Sequence, residues 1–452
     1  GGTALWKKWK GGVMRKLVYL IRCLVGGGLR GREERKIDMT GAHFEPMPIA
    51  IAEFSGAEKA RQIRQIIAND LESSGLFRVI DKDAYIQKMT SVNETPSFAD
   101  WQTINAQALL YADVTESADG KVKISFRLWD VFSGQSLAAR ALTLSQSEWR
   151  RLGHITADMV YSEITSESGY FDTRIVYIAE NRAGSAKVVK RLAVMDQDGA
   201  NQKFLTNGKT LVLTPRFAPN MQMIAYMSYA GGKPRVFLMD LQTMQQYDLG
   251  VFKGMSFAPR FSPDSQKLIL SSSTNGNSEI YEYDLKTLSK KRLTNHPAID
   301  TSPSYSPDGK KIVFNSDRSG TQQLYVMDAN GKDVKRISFG SKGAYSTPVW
   351  SPRGDYIAFT KSSGGRFYIG VMKPDGSGER LITEGYLVEG PSWAPNGRVL
   401  AFVKQQPYSA DGTRGQTGIY TIDITGHNER PLATPSEASD PAWSPLLFEK
   451  KM

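Results

Sequence analysis

Pro303-Ser304-Tyr305-Ser306-Pro307-Asp308-Gly309, followed after Lys310 by Lys311-Ile312-Val313-Phe314, is the stretch on which the fold turns. The same phrase occurs earlier as Pro215-Arg216-Phe217-Ala218-Pro219-Asn220 and Pro259-Arg260-Phe261-Ser262-Pro263-Asp264. It returns as Pro348-Val349-Trp350-Ser351-Pro352-Arg353-Gly354, Pro391-Ser392-Trp393-Ala394-Pro395-Asn396-Gly397 and Pro441-Ala442-Trp443-Ser444-Pro445. The aromatic positions lie 44, 44, 45, 43 and 50 residues apart, so one unit is repeated six times. Within a unit the aromatic ends a short strand. Pro-Asp-Gly then makes a tight turn, because proline presets φ and glycine tolerates positive φ. Lys311 to Phe314 supplies a second strand, Arg318-Ser319-Gly320 a loop, and Gln323 to Asp328 a third strand. Ala329-Asn330-Gly331 turns the chain into a last short strand, Val334 to Ile337. Four strands in such a period are the pattern of a β-propeller blade, which buries both faces only by stacking on its neighbours in a ring. The aromatics are therefore expected to pack between blades.

The register also predicts how the ring closes. Arg174 to Ile178, Leu192 to Asp196 and Lys203 to Thr206 read as the second, third and fourth strands of a blade that lacks its first. Pro441 to Pro445 supplies only a first strand. Joined, they make one blade, giving a six-bladed all-β propeller over 168–447 closed by strands from both ends. Closure of this kind leaves no open sheet edge.

The segment 37–167 lacks the repeat. Ile49 to Phe54 reads as a buried strand, Glu58 to Ser74 as a helix through Ile63, Ile66, Ile67 and Leu71, and Phe77 to Ile80 as a strand. Phe98 to Leu110 reads as a second helix around Trp101, Ile104 and Ala108. Val122 to Trp129 and Leu137 to Leu144 form a hairpin about Asp130-Val131-Phe132-Ser133-Gly134, and Trp149 to Ile164 is a closing helix. Strands interleaved with helices indicate an α/β domain. The short linker from Thr165 to Thr173 predicts a packed interface with the propeller.

The chain has 452 residues with 57 Lys+Arg against 46 Asp+Glu, a net charge of +11. Hydrophobic content of 40% with 10% aromatics excludes a disordered chain and a polytopic membrane protein. The charge is unevenly placed. Residues 1–36 hold ten basic and two acidic side chains, net +8, which leaves +3 for the other 416. A body so close to neutral gives no electrostatic case for nucleic acid. Within 1–36, Met14-Arg15-Lys16 followed by Leu17 to Leu29 reads as a degenerate export signal behind a spurious extension. A cationic aromatic surface anchor built on Trp6-Lys7-Lys8-Trp9-Lys10 is the alternative. Residues 448–452 are a tail.

Catalytic patterns are absent from the sequence: it contains no G-x-S-x-G, no Walker A loop and no H-E-x-x-H. The one cysteine, Cys23, permits neither a disulfide nor a cysteine-built metal site. His43, His154, His296 and His427 lack ligand-spaced neighbours, and Asp264 and Asp308 sit in turns where Asp stabilises the local backbone. No cofactor, metal or catalytic residue is expected.

The six repeats resemble those of the TolB family, although the repeat alone also occurs in propeller-bearing peptidases and lyases. The resemblance gains specificity from Glu45-Pro46-Met47-Pro48-Ile49-Ala50, Gly75-Leu76-Phe77-Arg78-Val79-Ile80 and Phe98-Ala99-Asp100-Trp101, and spans about residues 37–447. It implies a periplasmic, non-enzymatic part of the Tol–Pal system, peripheral to the membrane through its partners and supporting outer-membrane integrity and constriction at division. It implies that the lipoprotein Pal binds the propeller face, that colicins can exploit the same face, and that TolA is reached through the N-terminal segment. That segment corresponds here to Ile37, Asp38, Met39 and Thr40. In this register the loops entering each first strand open on one face, gathering Lys253, Met255, His296, Thr301, Tyr345, Thr347 and Glu389 as expected partner contacts. Short polar groups with aromatics suit a peptide or small domain better than a catalyst.

Overall fold

The computed structural model describes residues 45–447 apart from 57, 183–187, 256, 258 and 341. Ile37 to Thr40, the basic segment 1–36 and the tail 448–452 lie outside the described residues.

The first sheet contains strands β1 (Met47–Ile51), β2 (Phe77–Val79), β3 (Ala108–Glu116), β4 (Lys121–Asp130) and β5 (Ser136–Ser145), in the order β2-β1-β3-β4-β5. β1 runs parallel to β2 and β3, whereas β3, β4 and β5 are antiparallel. Helix α1 (Glu58–Ser73) crosses between β1 and β2, and α2 (Phe98–Thr103) and α3 (Trp149–Thr165) complete the layer. Side chains alternate across the sheet as strand geometry requires. Ile49, Ile51, Ala108 and Leu110 face α1 and α3, while Ala50, Leu109 and Tyr111 face Trp101 and Trp129.

One expectation is corrected here. The helix read from Phe98 to Leu110 stops at Thr103, where Ile104 and Asn105 (φ 61°) turn the chain out of the helix. Ala108 onward is the central strand of the sheet. Its run Ala-Leu-Leu-Tyr-Ala is buried on both faces, so it shows neither alternation nor a helical stripe. Period alone cannot separate such a strand from a buried helix.

The remainder forms six four-stranded antiparallel sheets. Asp300–Tyr305, Lys311–Ser316, Gln323–Asp328 and Lys335–Arg336 make a representative blade. Glu437–Trp443 pairs antiparallel with Arg174–Asn181, so the closing blade takes its first strand from the end of the repeat and its other three from the beginning. The repeat aromatics do pack between blades. The Trp393 indole N–H donates to the Val349 carbonyl (3.1 Å), and the Ser304 and Ser392 hydroxyls accept the backbone N–H of Trp350 (3.2 Å) and Trp443 (3.0 Å). Asp264 and Asp308 cap their turns, accepting from the Gln266 and Lys310 backbone N–H at 3.0 Å each.

The two parts share one core. Ile63, Leu152 and Tyr161 lie in the same buried cluster as Ile175, Tyr177, Val399 and Trp443. The connection after α3 is held on the face bearing the Pro-Asp-Gly turns: Arg353 pairs with Glu167 (3.2 Å) and Asn396 donates to the Ser168 carbonyl (3.1 Å). The opposite end of the ring, where each first strand begins, is thereby left for the candidate site.

Candidate functional site

Among the described residues, five first strands carry a positive φ at the residue immediately before the repeat proline: Thr214 (47°), Ser302 (53°), Thr347 (45°), Gly390 (66°) and Asp440 (49°). At each, pairing with the second strand slips by a residue. Four of the five are not glycine, and a residue before proline prefers extended backbone, so each strained position costs roughly 1–3 kcal/mol. Bulges bend a strand and re-aim its side chains. Repeated around the ring, these make the rim of a cavity of about 380 Å³ lined by Thr214, Ser302, Thr347, Gly390 and Asp440.

Thr301, Thr347 and Glu389, three of the expected contacts, line this cavity together. Asn315 donates its amide to the Thr301 hydroxyl (2.8 Å). The Thr347 and Thr360 hydroxyls are 2.7 Å apart, and Thr360 also accepts the Gly390 backbone N–H (3.2 Å), which ties neighbouring blades at the rim. Lys253 and His296 stand on connections between blades, outside the cavity lining. The Lys253 carbonyl accepts from Ser272 (2.9 Å); the His296 backbone N–H donates to Glu279 (2.8 Å), and its Nδ1 accepts from the Ala298 N–H (3.0 Å).

Met255 and Tyr345 are corrections, because neither presents its side chain to a partner. Met255 is packed against Phe252, Leu268 and Leu270 in the core between blades. Tyr345 is 0% exposed, with its ring beside Phe359 and its hydroxyl against Glu379 at 2.9 Å. Both follow loops in the sequence, but the chain has already turned inward at them.

Among the channel residues not singled out from the sequence are Thr214, Arg216, Arg260 and Asp440. A signal was present for two of them. Arg216 and Arg260 fill the variable position of Pro-x-aromatic, where the other copies carry Ser304, Val349, Ser392 and Ala442. At the rim, burial and the neighbouring Asp440 raise the Glu389 carboxyl above its ordinary range. Burial likewise raises Asp440, opposed by Arg216.

A second polar cluster lies where the α/β layer meets the closing blade. His154 on α3 holds its Nδ1 2.6 Å from Asp70 on α1, and Gln197 of the propeller donates to the other Asp70 oxygen (2.9 Å). Burial alone would lower His154, but Asp70, helped by Asp198 and Asp196, overrides it and raises the imidazole to about 9. Histidine 154, Asp196 and Asp198 bring ligand-type atoms within 4.8 Å of one another, yet Arg150 pairs with both carboxylates. The guanidinium already supplies the counter-charge a cation would, which makes this cluster an interdomain joint.

Comparison with known proteins agrees with the geometry. A family model described as the TolB beta propeller domain matches residues 161–447, and one described as the TolB amino-terminal domain matches 35–137. A Tol-Pal system protein TolB of Gluconobacter oxydans is 49% identical over 419 residues, covering 93% of this chain and 90% of the relative. One of Paramagnetospirillum magneticum is 53% identical over 428 residues, covering 94% and 95%. The crystal structure of TolB from Acinetobacter baumannii superposes with a TM-score of 0.80 at 29% identity, covering 89% of this chain and 97% of that one.

Proposed function

Because the chain belongs to the TolB family, we propose that it acts in the periplasm as the partner-binding propeller of a Tol–Pal envelope system. It is a non-enzymatic Tol–Pal component. The repeat's other association, with propeller-bearing peptidases and lyases, is set aside by the joint match of both family models. On this reading the lipoprotein Pal docks on the channel mouth through Thr301, Thr347 and Glu389, with Lys253 and His296 contributing from the neighbouring loops. Colicins would exploit the same mouth. TolA would be engaged through Ile37 to Thr40, and the pair of contacts would support outer-membrane integrity and constriction at division. Among the described residues no helix is long and apolar enough to cross a membrane.

The observation that carries the reading is the ring of strained backbone around the mouth. Strain repeated at one position in five blades is retained only where the surroundings over-determine it, and such positions cluster at ligand sites. A short polar rim around a concave centre suits a protruding segment of a small protein domain. The test is capture of purified Pal by the variant Lys253→Glu/Thr301→Arg/Thr347→Arg. Charge reversal and bulk at the rim should weaken capture by about 100-fold, the scale of about 3 kcal/mol, while leaving the melting temperature close to that of the unaltered protein. Full capture by a folded variant would remove the mouth from the interface.

A further inference from the structure

The channel narrows to a waist between the mouth cavity and a second cavity of about 360 Å³ that opens toward the Pro-Asp-Gly turns. Arg216 and Arg260 line both cavities and therefore stand at this waist. Both arginines are half-buried, where a guanidinium is favoured by a counter-charge or acceptors. Among the described residues the buried Arg216 Nε has no partner, and its guanidinium donates from Nη1 to the Pro215 carbonyl (3.2 Å). Among the described residues no carboxylate stands within ion-pair distance of either arginine. Asp440 and Glu389, the acids of the channel, line the mouth cavity and not the second one, so their charge lies to one side of the waist. Asp440 acts on Arg216 from a distance, whereas the charge felt by Arg260 is that of Arg216, of its own sign.

We infer that the waist of the propeller channel, framed by Arg216 and Arg260, is a binding site for one small oxyanion, either a free ion such as inorganic phosphate or a carboxylate. The planar donors of a guanidinium match two oxygens of such an anion at once, and the anion would supply the counter-charge that neither arginine has from a carboxylate. Access is provided from both ends, because the cavities meet at the same two side chains. Occupation would neutralise a like-charged pair at the centre of the ring, on the path between the mouth and the α/β layer.

Calorimetric titration of the full chain with inorganic phosphate, sodium acetate and sodium chloride, at one ionic strength, tests this. Saturable binding of one phosphate per chain is expected, with acetate binding more weakly and chloride giving no saturable signal. Arg260→Gln should weaken phosphate about 10- to 100-fold, as loss of a charge-assisted pair does, and Arg260→Lys should retain part of it. Asp440→Asn should act oppositely, tightening phosphate about three- to tenfold by removing a nearby negative charge. This arm keeps the test valid if Arg260→Gln fails to fold. A preference for acetate over phosphate would assign the site to a carboxylate, including one on a partner's side chain. An absence of saturable binding, chloride binding equal to phosphate, or an unchanged affinity in folded Arg260→Gln and Asp440→Asn would overturn the inference. None of these outcomes depends on Pal capture.

Discussion

Raising the pH from 6.5 to 9.5 should loosen the seat of the α/β layer on the propeller, and the double variant Asp70→Asn/His154→Gln should suppress that response. Asp70 and His154 are 1% and 2% exposed and 2.6 Å apart, and Gln197 and Asp198 reach them from the closing blade. Folding raises His154 from 6.5 to about 9. The folded state thus holds the proton more tightly than the unfolded chain. The resulting stabilisation is fully present below pH 6.5 and is lost as pH rises through 9. At ~1.4 kcal/mol per pH unit the difference is about 3 kcal/mol at most. Burial also raises Asp70, and raises Asp158 to about 8, so both act in the same direction. Asp158 accepts the Phe171 and Asp172 backbone N–H (2.7 and 2.9 Å) and remains in the double variant, which makes the difference between the two proteins the informative quantity. Urea unfolding followed by tryptophan fluorescence at pH 6.5, 7.5, 8.5 and 9.5 measures it. The unaltered protein should lose up to about 3 kcal/mol more than the variant across this range. Parallel stability curves for the two proteins would refute the assignment of a shared proton to this joint.

Two further outcomes follow from packing. Trp443→Ala should cost about 3–5 kcal/mol in chemical or thermal unfolding. Trp443 is buried at the closing strand, donates its indole N–H to Thr173 (2.8 Å) and packs edge-on against Tyr170 at 5.9 Å; a loss under about 1 kcal/mol would show that the closing strand is not held by this residue. Gly153→Val should destabilise by about 1–3 kcal/mol, because a Cβ at Gly153 would stand 2.7 Å from Ile66 Cγ2 where α1 and α3 touch. Ile66→Ala in the same chain should recover part of that loss, and strictly additive effects would place the clash elsewhere.

Legibility from sequence differed by element for physical reasons. The propeller was readable because each blade restates the same local chemistry: a proline that sets φ, a turn glycine, and strands with β-branched and aromatic residues. The closing blade was readable as well, since the missing first strand and the surplus last one complete each other. β3 was not, because burial on both faces erases the alternation that marks a strand. Within the candidate site, Thr301, Thr347 and Glu389 followed from counting positions relative to the repeat, and they share one cavity. Met255 and Tyr345 belong to the same connections, yet they stand four and three residues before their repeat prolines, where Thr301 and Glu389 stand two before, and there the side chain packs into the core.

The amino-acid order by itself therefore determined the number of blades, their strand order, the closure of the ring and the basic segment that accounts for most of the net charge. These depend on local φ preferences and on periodicity, both of which are properties of short stretches. The tertiary structure alone decided that the residues before the repeat prolines turn left-handed around a channel, that Arg216 and Arg260 meet at its waist, and that His154 is wedged between Asp70 and Asp198. Each of these joins residues distant in the chain, and the forces concerned, desolvation and the charge of a neighbour, do not exist until the ring has closed and the α/β layer has docked on it.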